Sequence, residues 1–188
     1  TYLKTDVIPK SEEYADSLQL DNISLAQTSM LYCRDPKTDT YKELQQLYSS
    51  QNRIWVSYED IPDDLINAAV AIEDRRFMEH DGVDWLRTLS AVRNFIGGDS
   101  SFGASTITQQ LIKNLSKEDD VTINRKVQEI FRALAVEKQY TKEEIMEWYL
   151  NTIYFGRGAY GVRSAAEEYF GKELKSLTIA ECASLISI

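Results

Sequence analysis

At 188 residues, 43% hydrophobic and 27% charged, the chain is long enough for one domain with its own core, and its composition excludes a disordered, collagen-like or disulfide-scaffold polypeptide. Thirty acids against 21 bases give a formal charge of −9, which excludes a general nucleic-acid binder but leaves room for an anionic ligand on a local basic cluster. The longest apolar run, Leu65 to Ile72, is broken by Asn67, and no stretch reaches the roughly 20 residues that cross a bilayer.

The chain begins at Thr1, with no basic, apolar, small-residue leader pattern. It reads as trimmed, with any targeting or anchoring segment removed. Residues 1–27 are polar and acidic and carry Pro9; they read as an extended leader or a short helix. Two β-branched and aromatic stretches follow, Ser29–Cys33 and Arg53–Tyr58, with turn-prone Asp35–Asp39 between them. They are expected to pair as two small strands. Residues 1–58 thus form a leader and small β linker region, and residues 59–188 the main domain.

Beyond Ile61 strand signals almost vanish. Pro62, Asp63 and Asp64 open a helix expected to reach about Arg76. Its middle is apolar nearly all round, which predicts burial on most faces. A second helix spans Asp84–Ile96 and stops at Gly97-Gly98; Gly97–Gly103 is a flexible loop by composition. A third runs from Ser105 or Thr106 to about Leu115. A fourth runs from about Thr122 to Gln139, with Ile123, Val127, Ile130, Phe131 and Leu134 on one stripe. A fifth, Thr141–Asn151, opens with the capping box Thr141…Glu144. Val162–Phe170 and a segment opening after Ser176 complete a mainly α fold with a small N-terminal β appendage. Cys33 and Cys182 fit no metal spacing and read as small buried hydrophobes.

Three constellations carry chemistry. Glu73 ends the apolar run, near the negative end of its helix. Burial and the helix dipole both disfavour a carboxylate there, an environment suited to a general base. The alternative is an ion pair with Arg75, Arg76 or a distant Lys that only fixes the fold. His80, the sole histidine, has no nucleophile elbow to serve and reads as a cap on the turn before Gly82. Next, Thr106, Gln109, Gln110 and Lys113 recur at three- and four-residue steps on one helix face, with Ile107, Leu111 and Leu115 opposite. A helix start with free N–H groups, hydroxyls, amides and a lysine cradles an oxyanion or a sugar; a plain capping box, Thr106 to Gln109, explains it equally. Last, Arg125 and Arg132 flank Glu129 on one face. That is either a set of intrahelical ion pairs or a phosphate clamp in which Glu129 assists a leaving group or a metal. Gly156-Arg-Gly158-Ala-Tyr-Gly161 matches a dinucleotide fingerprint by letter but lacks the preceding strand, so its glycines read as tight turns.

Together these blocks resemble the family 51 peptidoglycan glycosyltransferases. Glu73-Asp-Arg-Arg-Phe with His80 and Gly82 resembles the first signature, and Ser105-Thr-Ile-Thr-Gln-Gln-Leu-Ile-Lys-Asn114 the second. Arg125-Lys-x-x-Glu129, the run to Ile145 and Tyr149–Gly156 resemble the third and its extension. Ala165–Lys172 and Leu177–Leu185 resemble the closing blocks. The resemblance covers about Arg53 to the end. It implies a lysozyme-like, mainly α fold with a mobile jaw, and a bacterial membrane enzyme that polymerises lipid II on the extracytoplasmic face.

The resemblance also implies roles. Glu73 takes the proton of the acceptor 4-hydroxyl, which attacks the donor anomeric carbon with inversion. Lys113, Arg125 and Lys126 stabilise the departing lipid diphosphate, and Glu129 places them or a divalent ion (Mg2+ or Mn2+). Ser105, Thr106, Gln109, Gln110 and Asn114 hold donor sugar and diphosphate. No organic cofactor and no nucleic acid are implied. The partners are lipid II, the growing glycan strand and the cytoplasmic membrane, reached through a removed N-terminal anchor and an apolar jaw of Trp85, Leu86, Leu89, Phe95, Ile96 and Phe102. Ordinary core is the other reading of those jaw residues. Gln51–Pro62 looks like the bifunctional penicillin-binding proteins, whose transpeptidase domain would be missing here. The chain departs from the family pattern at Ala104, at Val121 and Gln128 where relatives carry basic residues, and in the acidic loop with Glu118, Asp119 and Asp120. A lytic enzyme on the same scaffold and a silent cell-wall scaffold remain as alternatives.

Overall fold

The computed structural model describes residues 3–18, 25, 28–47, 51–96, 103–116 and 122–188. The expected loop at 97–102, with Phe102, and the acidic residues 117–121 lie outside the described residues. So do the side chains of Phe95 and Ile96. The fold is mainly α with small β parts. In chain order come α1 (Ile8–Ser17), β1 (Ser29–Asp35), β2 (Thr40–Leu47), β3 (Asn52–Arg53), α2 (Asp63–Glu73), α3 (Trp85–Ile96), α4 (Ile107–Ser116), α5 (Ile123–Val136), α6 (Lys142–Thr152), β4 (Ala159–Tyr160), α7 (Val162–Phe170) and α8 (Ile179–Ile186).

The N-terminal stretch forms a helix, preceded by a π-helical turn at Leu3–Val7, and that helix is docked. Ala15 and Leu18 enter the core, α1 lies against α5, and the Arg132 guanidinium sits 4.4 Å from the Tyr14 ring centre. The strand expectation is corrected. β1 pairs with β2, antiparallel and bulged between Leu31 and Tyr32, not with Arg53–Tyr58. β2 reads Thr-Tyr-Lys-Glu-Leu-Gln-Gln-Leu and is exposed along almost its whole length, so no apolar alternation announces it. The turn between them falls at Asp35–Asp39 as expected, with Asp39 left-handed at φ 56°. Cys33 lies exposed on this hairpin and only Cys182 is buried, so the expectation of burial fails for Cys33. Arg53 instead belongs to β3, parallel to β4. From there the chain threads into the core: the Ile54 N–H donates to Ser164 Oγ and the Val56 N–H to Asn151 Oδ1.

α2 starts with Pro62 as its N-cap and ends at Glu73, three residues short of Arg76. Leu65, Ile66 and Ala69 are buried on the α8 side, but Ala71 and Ile72 are exposed. The expected burial on most faces is therefore corrected to one buried face and one open one. On α5, the most buried residues are Glu129, Ala133, Ala135 and Val136, while the expected stripe Val127, Ile130, Phe131 and Leu134 is half-buried. α6 is the most enclosed helix, capped by the reciprocal Thr141–Glu144 box, and it packs on α4, which also meets α5. Gly156, Gly158 and Gly161 all have positive φ and return the chain from Tyr154 to Tyr160. At Gly161 a Cβ would lie 2.9 Å from the Asn151 carbonyl. These are turn glycines on a helix-to-hairpin connection, not a nucleotide loop.

Candidate active site

The ends of α2, α4 and α5 meet in one cleft of about 460 Å³, lined by Ile72, Glu73, Arg87, Gly103, Ser105, Gln109, Gln110, Lys113, Asn114, Arg125, Lys126 and Glu129. Apart from Thr106 and Arg132, every residue singled out for binding or catalysis lines it.

Its geometry starts from a break in α2. Asp74 leaves the helix at φ −152° and is fully buried. It accepts the Ile107 N–H at 3.1 Å and lies 2.9 Å from His80 Nε2. A carboxylate at a helix N-terminus is well placed for the orphan N–H groups there. This clip fixes the end of α2 to the start of α4 and turns Glu73, one residue earlier, to the cleft. His80 is thus structural, as read, though it pairs with Asp74 and does not cap a turn. Gly82 allows the intervening turn to press on α5: its φ is +89°, and a Cβ there would meet Ala133 O at 2.6 Å.

Glu73 is half-buried rather than enclosed, because α2 leaves its cleft side open. Its Oε2 accepts from Gln110 Nε2 at 2.6 Å. The ion-pair alternative is not what the side chains do. Arg75 Nε donates to the Ala71 carbonyl at 3.2 Å, and Arg76 binds Asp84. Burial raises Asp84, but the Arg87 N–H and the Arg76 guanidinium outweigh it and hold the carboxyl below its ordinary range. Arg87, on α3, donates from Nη1 to the Glu73 carbonyl and from Nη2 to the Gly103 carbonyl, each at 2.6 Å. It staples the base-bearing residue to the chain entering α4.

On α4, Thr106 and Gln109 form the reciprocal capping box: the Thr106 N–H donates to Gln109 Oε1 at 3.0 Å and the Gln109 N–H to Thr106 Oγ1 at 3.2 Å. Both are buried, and Thr106 Oγ1 also donates to Gly82 O at 2.6 Å. Their bonds organise the helix start. Gln110 reaches Glu73, and Lys113, one turn further along, is exposed at the rim with Asn114.

On α5, Thr122 caps the helix by accepting the Arg125 N–H. Glu129 is only 5% exposed. It is bound by Lys126 Nζ, which also donates to Ser105 Oγ at 2.9 Å, and Arg125 Nη1 lies 3.9 Å from Oε2. A buried carboxylate persists where such partners compensate it. The Arg132 guanidinium lies over the Tyr14 ring and is not in the cleft lining, which corrects its place in a clamp there. Among the described residues no group of three His, Cys, Asp or Glu could hold a metal ion. The cleft carboxylates are two, and Glu129 is already taken by cations. Two carboxylates make no all-protein cage, so a divalent ion here would need substrate phosphate oxygens among its ligands.

Asp74, Arg87 and Tyr149 bear on this site without having been singled out. Tyr149 is buried, and its hydroxyl lies 3.5 Å from Gln110 Oε1. Burial, with Glu73 and Asp74 nearby, pushes the phenol well above its ordinary value. All three lie inside or beside the quoted blocks, but the contacts that tie them to α2 and α4 join positions 14 to 39 residues apart, which helical spacing does not reveal.

A family model described as transglycosylase matches residues 39–188. The chain is 43% identical over 155 residues to penicillin-binding protein 1A of Clostridium tetani, covering 80% of this chain and 20% of that protein. It is 44% identical to penicillin-binding protein 1A of Streptococcus oralis, covering 78% of this chain and 24% of the relative. It is 40% identical to penicillin-binding protein 2D of Bacillus subtilis, covering 89% and 24%. The chain therefore spans about a fifth to a quarter of the length of these relatives.

Proposed function

This chain belongs to the transglycosylase family, the family 51 peptidoglycan glycosyltransferases, and from that premise we propose that it polymerises lipid II into glycan strands. The observation that carries the reading is a carboxylate and a cationic seat in one cleft: Glu73 is bonded to Gln110, Lys113 stands one turn along the same helix, and Arg125 and Lys126 line the same space.

Glu73 takes the proton of the acceptor 4-hydroxyl as its oxygen attacks the donor anomeric carbon. The lipid diphosphate leaves from the opposite face, so configuration inverts. Charge builds on the departing diphosphate, where fixed cations act most strongly. Lys113, Arg125 and Lys126 supply them, and Glu129 holds Arg125 and Lys126 in place from beneath. Ser105 and Asn114 reach the donor from the rim. These cations supply positive field at the diphosphate from the protein itself. Any divalent ion would arrive with the substrate diphosphate.

The membrane reading rests on exposed apolar residues beside the cleft. Trp85, Leu86 and Leu89 on α3 are each more than half exposed, with Ile72 and Met78 nearby in sequence on the turn from α2. No helix among the described residues is long and apolar enough to cross a membrane. Contact with the extracytoplasmic face of the bacterial membrane would use this patch as an interfacial face. The names of the relatives suggest a penicillin-binding partner domain in the same polypeptide.

The test is incubation with labelled lipid II and, separately, with finished glycan strands. Polymer from lipid II supports the proposal. Shortened strands would indicate a lytic enzyme, and no product from either, with lipid II binding retained, a silent scaffold.

A further inference from the structure

Gln110 faces two partners. Its Nε2 donates to Glu73 Oε2 at 2.6 Å, and its Oε1 lies 3.5 Å from the Tyr149 hydroxyl. A primary amide has a donor end and an acceptor end, and half a turn about its last bond exchanges them. With the ends exchanged, a carbonyl oxygen would face the Glu73 carboxylate, which is repulsive. Which way this amide lies therefore decides whether Glu73 is supported or opposed.

Tyr149 is built to settle that choice. It stands on α6, the most enclosed helix, and is only 3% exposed. A buried phenol seeks a hydrogen-bond partner, and among the described residues this hydroxyl meets Gln110 Oε1. Desolvation first, then the charges of Glu73 and Asp74, keep the phenol protonated, so it retains the hydrogen that it directs at Gln110 Oε1.

We infer that Tyr149 is a positioning residue for the reaction: its hydroxyl fixes the Gln110 amide, Gln110 occupies Oε2 of Glu73, and Oε1 of Glu73 is left to take the acceptor's proton. This rests on the reading of Glu73 as the base. It gives Gln110 a role on the base in addition to any contact with the donor.

The experiment is steady-state polymerisation of lipid II by the intact protein carrying Tyr149→Phe, Gln110→Ala, both, or Glu73→Gln. Tyr149→Phe keeps the ring and removes the donor. Its kcat should fall roughly three- to tenfold with KM within about twofold, the size expected for one hydrogen bond. In the Gln110→Ala background the same change should have no further effect, since the connection is already cut. A contribution through packing alone would instead multiply with Gln110→Ala. Tyr149→Met, which also lacks the hydroxyl, should lose kcat to a similar degree, so the result stays readable if one variant misfolds in a thermal scan. Parental kcat in a folded Tyr149 variant, or multiplying losses, would overturn the inference while a silent Glu73→Gln left the base in place. Turnover by Glu73→Gln would remove the base itself.

Discussion

At the scale of single residues, the site is a set of opposed charges kept apart by hydrogen bonds. Glu73 is held by the neutral Gln110 amide, whereas Glu129 is held by Lys126 and Arg125. A carboxylate bound by an amide keeps its negative charge available for a proton, and one bound by two cations acts as their anchor. Lys113 is the exposed cation of the cleft, so it should be the easiest to remove without loss of fold. Lys113→Ala is expected to weaken binding of a diphosphate lipid analogue roughly three- to tenfold, a modest loss because solvent screens an exposed charge. Equilibrium binding by calorimetry checks it, and parental affinity would take Lys113 out of the diphosphate seat. Much of this set is legible in the sequence, because Gln110 and Lys113, or Arg125 and Glu129, are one helical turn apart. Arg132, three residues from Glu129, still stays off the cleft lining and meets an aromatic ring on α1 that local spacing cannot show. Asp74 and Arg87 escape for the converse reason: their partners come from distant segments.

At the scale of elements, local chemistry is what reads through. The boxes at Thr106, Thr141 and Thr178 each put a hydroxyl at the helix start and a Gln or Glu three residues on, and all three form. Thr106→Ala should destabilise the protein by about 1 kcal/mol, the usual worth of such a cap, and more if the lost bond to Gly82 O is not replaced; chemical denaturation measures it. The last box also sets a pH window. Lys172 first, then the Thr178 N–H and hydroxyl, lower Glu181 from 4.5 to about 2. A carboxylate lowered on folding contributes stability that is complete above its unfolded value and fades as pH falls through its folded one. The gap in thermal midpoint between the parent and Glu181→Gln should thus be full above about pH 4.5 and close by about pH 2. A constant gap would contradict the assignment. Elements without local signals were misread. β2 is exposed on both faces, and α2 ends early because Asp74 finds partners on α4 and at His80.

At the scale of the whole molecule, charge and apolar surface divide the work. A net charge of −9 disfavours anionic lipid surfaces, so contact with a bilayer through the exposed face of α3 would be mainly apolar. Leu86 and Leu89, at 65% and 64% exposure, are spaced to share one face of α3. Leu86→Ser with Leu89→Ser should reduce co-sedimentation with zwitterionic vesicles severalfold, with little change on raising salt. Strong salt dependence would point to an electrostatic contact instead. The mainly α architecture was legible because helical periodicity repeats over many residues, whereas the docking of α1 on α5 depends on surfaces brought together only by folding. On the proposed function, one carboxylate, turned into the cleft by the break in α2, accepts the proton on which glycan bond formation depends. The most direct measurement is lipid II polymerisation by Glu73→Gln, an isosteric change that keeps a hydrogen-bonding side chain. No detectable polymer is expected from a variant with the parental thermal midpoint and parental affinity for a diphosphate lipid analogue. Polymer formed at a rate near the parent's would contradict it.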